Sequence, residues 1–367
     1  MKKTKILLLS AGSLLGKGVI DSLASRRNHI EFFGLNTNAD APQLYQCDQV
    51  QLVANLADEH FESNFLDIVE QYQPDIILPG RDDDIVFLAT FSEKHSQHCH
   101  RIPAGSSNIA KIIRDKFLTY EWATEKQLPF VESFFYQGKE SQSGLKNFVS
   151  KCGYPVIAKP REGFGSNGIY VAMSDEHIAA LTSIEQLMFQ KLLMPSKELP
   201  ELIKKCKIAI PLYYQIADEQ QYAAQTLIKP NGEIIEPFVS VSKMVLGRCE
   251  SLRRLENTAI STMAKLYALA LAKEGWRGPV NIQCKQDEQG NWLAHELNLR
   301  FSGGTSSRLL LGFDEIGNLV ESFYPNVNLE NLSRNVSDEL VVRYLGDHLM
   351  PATSQKTLQT KKYWKNT

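Results

Sequence analysis

From Lys5 onward the sequence repeats one unit: an apolar run, a turn, and a stretch with helical periodicity. The apolar runs are KILLLS (residues 5–10), IEFFGLN (30–36), QVQLVA (49–54) and DIILPG (75–80), and helical patterns fill residues 15–25 and 60–72. Strand-length apolar runs that alternate with helices imply a parallel sheet joined by right-handed crossovers. A first α/β domain is therefore predicted over residues 1–95, closing by residue 100.

The pattern changes after Pro103, Gly105 and Ser106. One helix is predicted over 108–126, ended by Leu128-Pro129. A small α+β region follows, with short strands at 130–136, 154–159 and 169–172 and short helices at 145–151 and 175–181, around a glycine-rich segment. A third region has strands at 187–191, 222–229 and 233–239, and Pro230-Asn231-Gly232 marks a hairpin turn in an antiparallel sheet. Leu252, Leu255, Ala259, Met263, Leu266, Leu269 and Ala270 recur at helical spacing, which predicts a helix of about 20 residues. The expected units are 1–100, 101–186, 187–330 and a polar C-terminal extension, 331–367, loosely held beyond Tyr344.

Composition narrows the function. With 367 residues, 43% of them hydrophobic, the chain has material for two or three domains. A net charge of −2 gives no long-range field for nucleic acid or an anionic membrane. The apolar stretch at the start, Ile6 to Leu9, is too short for a secretion signal, and no run approaches the ~18 apolar residues of a membrane helix. The six cysteines stand 35 to 54 residues apart without a CxxC pair. That argues against a disulfide framework or zinc ribbon and for a reducing cytoplasm.

The chemistry concentrates in two segments. In Asn281-Ile-Gln-Cys-Lys and Trp292-Leu-Ala-His-Glu-Leu-Asn-Leu-Arg, strand alternation puts Glu296, Asn298 and Arg300 on one face and Leu297 and Leu299 in the core, with Gln283 joining from the neighbouring strand. Three side-chain oxygens beside an arginine suit Mg²⁺ shared with substrate phosphates, and the guanidinium fork suits a transferring phosphoryl group. Alternation alone equally fits a hairpin with a polar solvent face. The second segment, Lys159-Pro-Arg-Glu-Gly163-Phe-Gly165-Ser166-Asn-Gly168, follows an apolar run. Its glycines let backbone N–H groups approach phosphates, with Lys159 as a point charge at the base. It is not a P-loop, and a flexible hairpin with a solvated lysine fits it as well. Lys116 adds a cation some 40 residues upstream.

Taken together and in this order, these elements resemble the ATP-grasp superfamily, in particular one synthetase half of the carbamoyl-phosphate synthase large subunit, over residues 1–325. The spacing Gln283…Glu296-x-Asn298-x-Arg300 is the most specific part. The resemblance implies a Rossmann-like first domain before two α+β subdomains that clasp Mg-ATP, with Mn²⁺ as an alternative metal. It implies that Lys116 and Lys159 contact phosphates, that the loop of Gly163, Gly165, Ser166 and Gly168 is a lid, and that Gln283, Glu296 and Asn298 hold the metal. Lys159 and Arg300 would be catalytic, Arg300 by stabilising phosphoryl transfer. Gln190, Lys191 and Leu192, within residues 189–193, would hold adenine through the backbone. Two positions depart from the family: Lys191 and Gln221 stand where glutamates are usual. Residues 195–215 read as an insertion.

The activity implied is ATP-dependent ligation of a carboxylate to an amine or thiol through an acyl phosphate, on small-molecule substrates, by a homodimer without nucleic-acid or membrane partners. A regulatory nucleotide-binding protein of the same fold is the alternative. The rival class is an NAD(P)-dependent oxidoreductase using Gly12, Gly16 and Gly18, yet none of the 13 tyrosines has Lys four residues on. His95, His98, Cys99 and His100 read as a polar helix end rather than a zinc site. Asp82, Asp83 and Asp84 read as stabilisers of a helix N-terminus.

Overall fold

The computed structural model describes residues 3–163, 167–195, 197–208, 218–245, 247–327, 329, 336–344, 347 and 349–366. Its first sheet pairs β1 (Thr4–Leu8), β2 (Ile30–Asn36), β3 (Gln49–Leu52) and β4 (Ile76–Leu78) in the parallel order β3-β2-β1-β4. Consecutive residues of β1 point to opposite faces, and both faces are covered. Ile6 and Leu8 pack with Val19 and Ile20 of α1 (Leu14–Ser22), whereas Leu7 packs with Phe65 and Val69 of α2 (Phe61–Tyr72). Burial on both faces is why these strands read as continuous apolar runs. Each such side chain contributes about 1.5–3 kcal/mol by leaving water.

Helix α1 starts at Ser13, whose side chain accepts from the Gly16 amide at 2.9 Å. A Cβ on Gly16 would lie 2.6 Å from the Ala11 carbonyl oxygen, so only glycine fits this turn. Gly12 is as tight, with a Cβ there 2.7 Å from the Asn36 side chain, whereas Gly18 has room for one. Helix α3 (Asp82–Lys94) follows β4.

The helix predicted over 108–126 is two helices, α4 (Ser107–Arg114) and α5 (Lys116–Glu125). Asp115 between them is extended, and its carboxylate accepts from the amides of Phe117 and Leu118, at 2.8 and 3.1 Å. An N-cap inside an otherwise helical pattern forces the break.

The second sheet contains β5 (Ser133–Phe135), β6 (Val156–Pro160), β7 (Tyr170–Ala172) and β8 (Leu187–Lys191), antiparallel in the order β5-β8-β6-β7. Strand β8, assigned to the third region by the boundary at residue 187, thus belongs to the second sheet. The insertion at 195–215 includes a helix, Leu199–Ile208, and its remainder lies outside the described residues.

The third sheet has β9 (Asp218–Ile228), β10 (Phe238–Val245), β11 (Arg248–Arg254), β12 (Gly278–Gln286), β13 (Trp292–Asn298) and β14 (Leu340–Val342) in the antiparallel order β13-β12-β9-β10-β11-β14. The strand predicted from Glu233 begins at Phe238, since the chain first makes a single bridge between Ile234 and Ile228. The predicted long helix is shorter, Thr258–Lys273, because Leu252 belongs to β11 and the Asn257 side chain caps the helix by accepting from Ile260 N at 3.0 Å. Its Ile260, Met263, Tyr267 and Leu271 bury against Ala224, Val280, Ile282, Leu297 and Leu299.

The far end of the tail, expected to be loosely held, is docked. A helix at Ala352–Lys361 leads to β15 (Tyr363–Lys365), which pairs antiparallel with β3 and buries Leu358 and Trp364 in the first-domain core. Two isolated apolar residues in a polar stretch give no periodicity, and the docking depends on a sheet edge formed 300 residues earlier. Among the described residues no helix is long and apolar enough to cross a membrane.

Candidate active site

The β12–β13 hairpin carries the site. Its register pairs Gln283 with Glu296 and Asn281 with Asn298, and a bulge between Gln283 and Cys284 accommodates His295 as the extra residue. Leu297 and Leu299 are in the core as alternation requires. On the opposite face the polar side chains are linked: Asn298 Nδ2 donates to Glu296 Oε1 at 3.3 Å and Arg300 donates to Asn298 Oδ1 at 3.2 Å. Gln221 of β9 donates to Gln283 Oε1 at 3.1 Å and lies 3.2 Å from His295 Nε2. A cavity of about 460 Å³ runs from Gln283, Glu296 and Arg300 to the first domain. A narrow cleft on the other side of Glu296 is lined by Lys116, Gly163 and Asn298.

Lys159 reaches this face from β6. It is 4% exposed, and its Nζ donates to Gln190 Oε1 at 2.9 Å and to the His295 carbonyl at 3.0 Å. Burial lowers its pKa to about 8; Glu296 opposes that fall and Lys116 adds to it. For Glu296 burial pushes the carboxyl up, but Lys116, Lys159 and Arg300 together outweigh it and hold the group below its ordinary value. The His295 imidazole is driven well below its usual range by burial and by Lys159 and Lys285, so it stays neutral. Lys116, at the start of α5, donates to the Gly163 carbonyl at 3.3 Å. Gly168 has φ +71° and packs on Pro160, while Gly165 and Ser166 lie outside the described residues.

One ionised carboxylate, two amide side chains and three flanking cations form a donor set suited to Mg²⁺ that completes its shell with phosphate oxygens and water. Among the described residues no three His, Cys, Asp or Glu side chains gather as a ligand set, so a metal here depends on that sharing. His95, within the rejected zinc cluster, instead contacts Glu62 at 2.8 Å.

The sequence matches no protein-family model and no curated protein. Solved structures share the architecture. The ADP complex of N5-carboxyaminoimidazole synthetase from Staphylococcus aureus superposes with a TM-score of 0.65 at 12% identity, over 93% of this chain and 81% of that one. The biotin carboxylase domain of the Hydrogenobacter thermophilus 2-oxoglutarate carboxylase, in complex with MgADP, ADP and bicarbonate, gives 0.63 at 15% identity, over 90% and 72%. This chain has the ATP-grasp fold. An N5-carboxyaminoimidazole ribonucleotide synthetase from Thermotoga maritima gives 0.59 at 18%, over 89% and 77%.

Within the ATP-grasp frame, the structure brings Lys116, Lys159, Gly163, Gln283, Glu296, Asn298 and Arg300 into one neighbourhood. The three hinge residues are arranged otherwise than a free backbone edge. Gln190 sits inside the sheet, between Ser133 of β5 and Ile157 of β6, and its buried side chain links Lys159 to the Ser133 hydroxyl, the latter at 2.9 Å. Lys191 pairs with Glu288 at 3.0 Å, and the Leu192 amide donates to the Pro155 carbonyl at 3.2 Å. Two members of the site escaped the sequence reading. Asp82 binds Arg300 rather than only stabilising α3, a task Asp84 performs by accepting from the Gly80 and Arg81 amides at 2.9 Å each. His295 enters only because the bulge turns it toward Gln221, and no local pattern signals a bulge.

Proposed function

We propose that the protein is an ATP-dependent ligase that joins a carboxylate to an amine or thiol, using Mg²⁺, with Mn²⁺ as a substitute. The reading rests above all on Glu296 held ionised among Lys116, Lys159 and Arg300, opposite Gln283. A carboxylate oxygen attacks the γ-phosphorus of ATP, and the bond to the bridging oxygen breaks as ADP leaves with the electron pair. The nucleophile then attacks the acyl carbon, phosphate departs with the C–O electron pair, and the nucleophile's proton passes to solvent.

The side chains position and neutralise rather than react covalently, because phosphoryl transfer requires mainly orientation and charge stabilisation. Lys116 and Lys159 offer cations to the phosphates, and Gln283, Glu296 and Asn298 would hold the metal, which lowers the charge repulsion between nucleophile and phosphate. Arg300, fixed by Asp82, is aimed along the same face. The test is ADP release with hydroxylamine as the amine and hydroxamate as the product. Acid-dependent ADP release with hydroxamate supports the ligase. ADP release that no acid stimulates points to a nucleotide-binding regulator with residual hydrolysis.

A further inference from the structure

The 460 Å³ cavity is reached by three arginines that are not equivalent. Arg300 is paired with Asp82. Arg308, 2% exposed, is paired with Glu315 and donates to the Ser302 hydroxyl at 2.7 Å. Arg81, at the junction of β4 and α3, is different. Its amide is held by Asp84, but among the described residues its guanidinium has no carboxylate, hydroxyl or carbonyl partner. Its charge reaches Asp84 through space, yet that carboxylate is already filled by the Ser10 hydroxyl and the Gly80 and Arg81 amides. Arg81 stands between this cavity and a second one of about 380 Å³ lined by Ser10, Asn36, Asp83 and Asp84, and a half-buried guanidinium without a hydrogen-bonded partner at such a wall is a site for an anion.

Apart from the three arginines, Asp82 and Glu296, the rest of the wall is uncharged. Ser240 and Ser242 supply hydroxyls, and Leu14, Met244 and Leu252 supply apolar surface. No lysine lines the cavity among the described residues, so a second anionic group on the substrate finds no unpaired cation. A ribonucleotide, of the kind named for three of the structural neighbours, carries a phosphate that this wall does not serve.

We propose that the acid substrate is a monocarboxylate with an uncharged, partly apolar body, and that Arg81 docks its carboxylate beside Arg300 while the body lies on the Ser240, Ser242, Met244 and Leu252 wall. The proposal rests on the ligase reading and specifies its substrate class. Arg81 is a binding residue: Gln283 and Glu296 line the same cavity, but Arg81 is none of the residues assigned to the metal or the phosphates, so it sets affinity for the acid and leaves Mg-ATP binding unaffected.

The experiment measures thermal stabilisation of the full chain, with Mg-ATP and then with added N-acetyl-methionine, N-acetyl-serine or N-acetyl-O-phosphoserine, in wild type, Arg81→Ala and Arg81→Lys. The expected result is stabilisation by an unphosphorylated acid and weaker or no stabilisation by the phosphorylated one. In Arg81→Ala the acid's Kd rises at least tenfold, Arg81→Lys recovers part of it, and the Mg-ATP response is unchanged in both, which also shows that the variants fold. The proposal is overturned if Arg81→Ala binds the acid as wild type does, if the phosphorylated acid binds more tightly, or if no acid binds while Mg-ATP does. Loss of the Mg-ATP response in wild type would instead remove the ligase reading itself.

Discussion

Arg300 and Asp82, 218 residues apart, form a two-point ion pair, with Nε 2.6 Å from Oδ1 and Nη2 3.2 Å from Oδ2. The pair joins the end of the β12–β13 hairpin to the first turn of a helix in the N-terminal domain. Both partners are largely buried, at 11% and 15% exposure, so the guanidinium is held to one orientation. Asp82→Ala is expected to lower kcat on the order of tenfold or more by releasing an electrostatic stabiliser, while the KM for ATP changes less than twofold. Stability should fall by about 3 kcal/mol, since a largely buried cation loses its partner. Steady-state kinetics and denaturant unfolding check both.

Glu296→Ala removes the carboxylate that Lys116, Lys159 and Arg300 flank. Metal-dependent ADP release should be abolished while far-ultraviolet dichroism stays native. Unchanged activity in this variant would sink the assignment of Glu296 to the metal.

Lys159→Ala removes a charged donor that is buried and aimed at the same face. A hydrogen bond to a charged group is worth about 1.5–3 kcal/mol, so the KM for ATP should rise roughly tenfold to a hundredfold. An ATP titration that overlays wild type would separate this lysine from nucleotide binding.

Trp364→Ala tests the docked tail. Trp364 is buried against Tyr45, with ring centroids 5.4 Å apart. Truncating a buried tryptophan costs about 3–5 kcal/mol. Chemical denaturation should show that loss, with kcat and both KM values near wild type.

Asp84 gives a pH signature. Burial pushes its carboxyl up to about 6 despite the hydrogen bonds from Gly80, Ser10 and Arg81. The folded chain therefore holds the proton more tightly than the unfolded chain, whose carboxyl titrates near 3.8. This group's contribution is fully present below pH ~4 and is lost as pH rises through about 6, on the order of 3 kcal/mol. Asp84→Asn should flatten the stability profile between pH 4 and 6, whatever its effect on absolute stability.

Periodicity made much of this fold readable. Both faces of β1 are buried, so its apolar run announced a parallel sheet, and the alternation at residues 296–300 announced which side chains share a face. Features that depend on distant partners left no such trace. Asp115 looks like any polar residue on a helix, yet it caps α5 and splits the helix. Leu358 and Trp364 are two apolar residues in a polar tail, and only the free edge of β3 gives them a place. Asp82 lies in a run of three aspartates whose local role is the same for all, and only the tertiary fold singles it out for Arg300. Gln190 carries its information in a side chain buried between strands, although its position in the chain pointed to its backbone.

The most direct test of the central claim is thermal stability with Mg-ATP, with ATP in the presence of a chelator, and with NADPH. A ligand bound only by the folded state stabilises by about 2.7 kcal/mol at a hundredfold excess over Kd. The account predicts a rise with Mg-ATP, a smaller one without metal, and none with NADPH. A rise with NADPH alone, or none with Mg-ATP at millimolar concentration, would contradict it.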